Sequence, residues 1–230
     1  MRKTLFFRRL SFFSIKDCTT FALMNRLLSL IAVLAFSTMQ AAASDYIDRF
    51  FAYMPQRVLP ILDKTSRLDL IDLYNNAMKA KAENVYGGMS EMVHKSDYYL
   101  FLKLSDASTW QMRIIPIAHD TLIVCAHSLS ANGTSTTLHF YKEDWHSVKR
   151  DMVTPSQSQF LLPNTTTLSS SRMQLLRGVA QSLPIKATLD EKLPVVTFEL
   201  SLEALPSDER DDLKLITQSL RYDLFTGKQL

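Results

Sequence analysis

Tyr98-Tyr99-Leu100-Phe101-Leu102-Lys103-Leu104, then Ser105-Asp106-Ala107-Ser108, then Trp110-Gln111-Met112-Arg113-Ile114-Ile115 follow one another almost without interruption. In both outer stretches aromatic and branched side chains recur with a period of two, the period at which a strand returns to one face. The polar quartet between them has turn composition. The pattern then repeats. His119-Asp120 reads as a turn, Thr121 to Ser128 as a third strand, Asn132-Gly133 as a loop and Thr136 to Lys142 as a fourth strand. A parallel pairing needs a crossover of a dozen or more residues, and turns this short leave no room for one. The stretch therefore predicts an antiparallel meander.

On the N-terminal side the period changes to that of a helix. Tyr46 to Met54 is a short amphipathic segment stopped by Pro55, and Val58, Leu59, Ile61 and Leu62 surround Pro60. Ser66 is placed to cap a following helix with Asp69 in its first turn, where the helix dipole favours a carboxylate. Leu70, Ile71, Tyr74 and Met78 form its apolar stripe, and Gly87-Gly88 ends the region. On the C-terminal side, Ser171 to Ser182 has helical spacing. Lys186-Ala187-Thr188-Leu189 and Val195 to Leu200 flank Asp190-Glu191-Lys192 as a hairpin. Ser207-Asp208-Glu209 opens a helix reaching Ile216, and Leu220 to Phe225 is a last strand. The expected class is α+β, with N-terminal helices followed by a mostly antiparallel sheet and one or two further helices. Residues 44–230 suffice for one domain with its own core.

Ahead of that domain, Met24-Asn25-Arg26, the apolar run Leu27 to Phe36 and Ala41-Ala42-Ala43 have the order of a secretory signal peptide. Ten apolar residues are too few for a bilayer span, which takes roughly 20. The expectation is translation from Met24, cleavage after Ala43 and a periplasmic or secreted product. Of 26 Lys and Arg, six precede Ser44, as does one of 23 Asp and Glu, so the chain from Ser44 onward carries a net −2 with neutral His. A nucleic-acid partner, which needs clustered basic residues to displace counterions, is excluded on that charge. Beyond the leader Cys125 is the sole cysteine, so no internal disulfide is expected.

Met54-Pro55, Leu59-Pro60, Arg67-Leu68-Asp69-Leu70-Ile71-Asp72, Asn84-Val85-Tyr86-Gly87-Gly88 and Phe140-Tyr141-Lys142-Glu143-Asp144-Trp145 occur in that order. Together they resemble an exported Bacteroidales family catalogued as a domain of unknown function. The likeness runs from about Tyr46 to the final strand. It implies a periplasmic protein of gut or oral anaerobes and carries no catalytic residues with it.

Chemistry has to be sought in the side chains themselves. If Ser128 pairs with Thr136, Cys125 stands opposite His139, and cross-strand partners approach within about 5 Å at Cβ. A histidine beside a thiol can make a nucleophile; the plainer reading is a buried small residue beside a sheet-face histidine. His119, Asp120, His127, His139 and His146 do not have the spacing of a zinc site, so neither a metal nor another cofactor is expected. Arg67, Asp69 and Asp72 form a charged cluster on one helix, read as a solvated first turn with Arg67 neutralising the carboxylates, as a structural buried ion pair or as a binding site. Phe50-Phe51-Tyr53 and Tyr98-Tyr99-Phe101 offer aromatic surface for a sugar, although core packing uses the same residues. Nucleophile elbow, phosphate loop and dinucleotide fingerprint are all missing. The sequence thus favours a non-enzymatic module that binds an envelope protein or glycan, with no transmembrane segment after the leader. Two other readings stand beside it: a small hydrolase or thiol enzyme using Cys125 and His139, and a carbohydrate-binding protein.

Overall fold

The computed structural model describes residues 46–118, 120–150, 154–163 and 168–230, all inside one compact unit, Ser44–Leu230. The leader and its cleavage site, His119, and residues 151–153 and 164–167 lie outside the described residues. Helix α1 (46–53) and helix α2 (Lys64–Asn75) come first. Six strands follow: β1 (Lys81–Glu83), β2 (Met89–Ser96), β3 (Tyr99–Ser105), β4 (Ser108–Ile117), β5 (Asp120–Ala131) and β6 (Gly133–Tyr141). They form one antiparallel sheet in chain order. A 3-10 turn at Gln157–Phe160 and helix α3 (Ser170–Ser182) lead to β7 (Ile185–Leu189) and β8 (Val195–Leu200). Helix α4 (Ser207–Ile216) and β9 (Leu220–Asp223) complete a second, three-stranded antiparallel sheet. The fold is α+β, as the pattern of elements predicts.

The meander is two strands longer than the four expected. β1 and β2 precede it, closed by a turn at Asn84-Val85-Tyr86-Gly87-Gly88. The buried Asn84 holds that turn together: its Oδ1 accepts from the Tyr86 and Gly88 N–H groups at 3.1 and 3.2 Å, and its amide reaches Ser90 Oγ at 3.3 Å. Gly87, at φ 78°, takes the left-handed conformation that favours glycine. Helix α2 also starts earlier than expected. Asp63, not Ser66, is its cap and accepts from Ser66 N–H at 2.7 Å, while Ser66 Oγ donates to Glu83 O and so anchors β1. The helix stops at Asn75 because Ala77 adopts φ 55°, which leaves Met78 exposed beyond the end.

Successive residues of the central strands serve opposite faces of the large sheet, and each face has its own core. Leu100, Leu102, Trp110, Met112, Ile114, Ile123 and Cys125 pack under the N-terminal helices with Ile47, Phe51, Leu62 and Leu70. Ile115, Leu122, Val124, Ala126 and Phe140 pack against Val196 and Phe198 of the small sheet, with Leu176 and Leu213 from α3 and α4. With cover on both sides, β4 and β5 are buried over six consecutive residues each.

Candidate functional site

Between the large sheet and β7 the second core stops short of the ends of β3, β4 and β5, leaving a groove of about 360 Å³. The alternation of each strand places its lining. Tyr99 and Phe101 come from β3, Thr109 and Gln111 from β4, Ser128 and Ser130 from β5, and Thr188 from β7 across the gap. Hydroxyls line one wall as a ladder: Ser128 Oγ meets Thr136 Oγ1 at 2.8 Å, and Ser130 Oγ meets Thr134 Oγ1 at 2.8 Å. Thr134 Oγ1 donates onward to Glu203 Oε2 at 2.7 Å, and Lys186 Nζ lies 3.3 Å from Glu203 Oε1 at the mouth. The hydrogen bond from Thr134, joined by the Lys186 charge, holds the Glu203 carboxyl below its ordinary value.

Gln111 forms the floor and is 6% exposed. The Leu189 N–H and the Tyr99 hydroxyl donate to its Oε1 at 2.9 and 3.2 Å. A backbone N–H can only donate, so this contact fixes which end of the amide is oxygen. The other end, the Nε2 amide group, has no partner among the described residues and borders the groove. Burial, with Glu191 nearby, pushes the Tyr99 phenol up to about 12, so it remains a donor at neutral pH. One step along β4, the Arg113 guanidinium donates to the carbonyls of Glu191 and, at 2.9 Å, Lys192, which clamps the β7–β8 turn onto the large sheet.

The residues singled out from sequence lie elsewhere. Cys125 does pair with His139 in the predicted register, and Ser128 with Thr136. Their surroundings differ, however. Cys125 is sealed in the helix-side core and desolvation pushes its thiol up, whereas an activated thiolate requires the opposite shift. His139 is exposed on the edge strand β6, its ring 6.5 Å from that of Tyr141. His127 Nε2 is 2.9 Å from Ser108 Oγ, and burial, together with the nearby His139, lowers its pKa. His146 pairs with Asp144 at 2.8 Å. Among the described residues no three His, Cys, Asp or Glu side chains come together as a metal could require.

The Arg67, Asp69 and Asp72 cluster separates. Asp69 and Asp72 are exposed on α2, and Asp72 only receives the Asn76 amide. Arg67 does not neutralise them. It turns inward, 2% exposed, and donates to the carbonyls of Met54 and Leu62 at 2.7 Å and of Ala52 at 3.4 Å. Those carbonyls lie at the end of α1 and in the loop after it, where helix geometry leaves them without intrahelical partners. The signal that locates Arg67 is its spacing: it precedes Leu70 by three and Tyr74 by seven, on the buried stripe of α2. Of the aromatic candidates, Tyr99 and Phe101 reach the groove, while Phe51 is buried in the helix-side core. Phe50, Tyr53 and Trp145 border a separate recess of about 290 Å³ with Arg49 and Glu143.

These features define an α+β domain whose large antiparallel sheet is closed by helices on one face and left with an open polar groove on the other. The chain belongs to the family described as "Protein of unknown function (DUF3256)", which matches residues 39–225. A solved domain of an uncharacterized protein from Porphyromonas gingivalis W83 has the same fold, with a TM-score of 0.64 at 21% identity over 80% of this chain and 96% of that one. No curated protein matches the chain. Among the described residues no helix is long and apolar enough to cross a membrane.

Proposed function

We propose that the protein is an exported, non-enzymatic binding module that takes a component of the cell envelope in the groove between its two sheets. The observation that carries this reading is the lining of the groove. Hydroxyls, an amide and a Lys–Glu pair converge on one concavity, and such groups orient a ligand by hydrogen bonding. The volume is at the low end of the roughly 300–1,000 Å³ range of ligand pockets. Export rests on the order of basic, apolar and small residues from Met24 to Ala43.

The two halves of the proposal have separate tests. N-terminal sequencing of the native product should begin near Ser44; an intact upstream sequence on protein from a cytosolic fraction would remove export. For binding, Ser130→Trp fills the groove from an exposed position and should leave the fold intact. The purified protein, immobilised and exposed to envelope extract, should retain material that the filled variant does not. Equal retention by both would overturn the groove as the site.

A further inference from the structure

We infer that the ligand of the groove is a neutral glycan, held by the Gln111 amide beneath it, by the exposed Thr188 and Ser130 hydroxyls at its sides and by the ring of Phe101. This deepens the binding reading and rests on it. The Gln111 Nε2 group is a donor committed to the groove: the side chain is more than nine-tenths buried, its oxygen is already used by Leu189 and Tyr99, and the nitrogen has no partner among the described residues. At the groove wall this donor is open to an acceptor, and an oxygen-bearing ligand supplies one. The donor can be neither turned away nor replaced by the side chain's own oxygen, because Leu189 N–H holds that oxygen in place.

The rest of the lining selects among oxygen-bearing ligands. Ser and Thr hydroxyls both donate and accept, as a sugar's hydroxyls do. Lys186 and Glu203 already satisfy each other at the mouth, so neither an anionic nor a cationic ligand finds an uncompensated charge there. Phe101, half-buried beside these groups, gives an apolar surface for the C–H face of a pyranose ring. An extended peptide needs a row of main-chain donors and acceptors along a strand edge; here the surface is a sheet face bearing side chains.

The test is a titration of the purified protein with cellohexaose, maltohexaose and the N-acetylglucosamine tetramer, followed by side-chain amide and backbone NMR. At least one glycan should give saturable shifts that include the Gln111 side-chain amide and the Thr188 and Ser130 backbone. Gln111→Glu keeps an oxygen for Leu189 N–H but exchanges the donor for an acceptor, and should weaken binding about ten-fold. Thr188→Val, isosteric and exposed, should weaken it several-fold without moving Tm. The two proposals fail separately. If none of the three glycans binds while Ser130→Trp still abolishes retention from envelope extract, the glycan is wrong and the groove survives. If Ser130→Trp leaves retention unchanged, both are wrong. Quenching of tryptophan fluorescence by a glycan, with no shift at Gln111, would place the sugar at the Trp145 recess and overturn this assignment, because Trp110 is buried on the opposite face of the sheet.

Discussion

Thr109 and Trp110 are neighbours on one strand and belong to different environments. Trp110 enters the core under α1 and α2, with its ring 6.2 Å from that of Phe51; Thr109 faces the groove. The helix face is sealed, and its charged groups find partners inside it. Arg67 is spent on the carbonyls of Met54 and Leu62 after α1, while Lys95 Nζ meets both Asp48 oxygens at 2.7 Å and also Asn75 Oδ1, joining β2, α1 and α2. The small-sheet face also has polar bridges, from Gln111 and Arg113, and there the Gln111 amide borders an open groove. Two faces built from alternate residues of the same strands thus divide the work: one closes the fold and the other stays open to a ligand.

The largest effect expected from this division is at Trp110. Trp110→Ala should destabilise the protein by about 4 kcal/mol through lost burial and the cavity left behind, read as a lower urea midpoint at unchanged m-value. Thr109→Ala, one residue away, should cost under about 1 kcal/mol. Comparable losses at the two positions would break the contrast between the faces. Arg67→Ala should come next at about 3 kcal/mol, because it removes the buried donor that the Met54 and Leu62 carbonyls share. If Arg67→Ala is tolerated while Asp69 variants are not, Arg67 belongs to a surface cluster and the account of the helix face is wrong.

Gly133, in the β5–β6 turn, tests the other face. Its φ is 102°, and a Cβ there would come within 3.0 Å of Pro184 Cγ. Gly133→Ala should cost about 1–2 kcal/mol and disturb the neighbouring Thr134 N–H bond to Ser201 Oγ. Amide exchange should accelerate at Thr134 and Ser201 first and leave the helix face unaffected.

Cys125 sharpens the comparison chemically. In the native protein the thiol should resist iodoacetamide, and it should react once urea exposes it. Because burial raises the folded pKa above its ordinary value of 9.0, above about pH 9 the unfolded chain ionises while the folded one keeps its proton. Stability therefore falls as pH rises beyond that point. Rapid alkylation of the native thiol at neutral pH would revive the Cys125–His139 enzyme.

How much of this was readable in advance depends on whether the information was local. The Cys125–His139 register follows from the Asn132-Gly133 turn and the period of two, both local. The ends of α4 at Ser207 and Ile216, and the β7–β8 hairpin around Asp190 to Lys192, follow in the same way. Strand β2 escaped notice because Glu91, His94 and Lys95 occupy its pattern; Lys95 is buried only because Asp48, 47 residues earlier, meets it. The groove was invisible for a related reason. Thr109, Ser128, Ser130 and Thr188 read as ordinary solvent-side residues of separate strands, and only the packing of the small sheet across the large one brings them together. A groove-facing donor such as Gln111 Nε2 cannot be recognised until the partner of its oxygen is known.

The smallest effect expected is at the acidic pair on α2. Asp69→Asn and Asp72→Asn should each change stability by less than about 0.5 kcal/mol and leave retention of envelope material unchanged, since both side chains face solvent away from either core. The double substitution should be additive, because among the described residues the hydrogen-bond partner of these carboxylates is Asn76, which can keep donating to the Asp72 backbone carbonyl at 2.9 Å. A non-additive result would mean that the two carboxylates act as a unit, as they would if they held a shared cation or partner. A loss of retention in the pair, without loss of stability, would move the binding surface from the open face of the sheet to the helix face, and the division of work between the faces would have to be reversed.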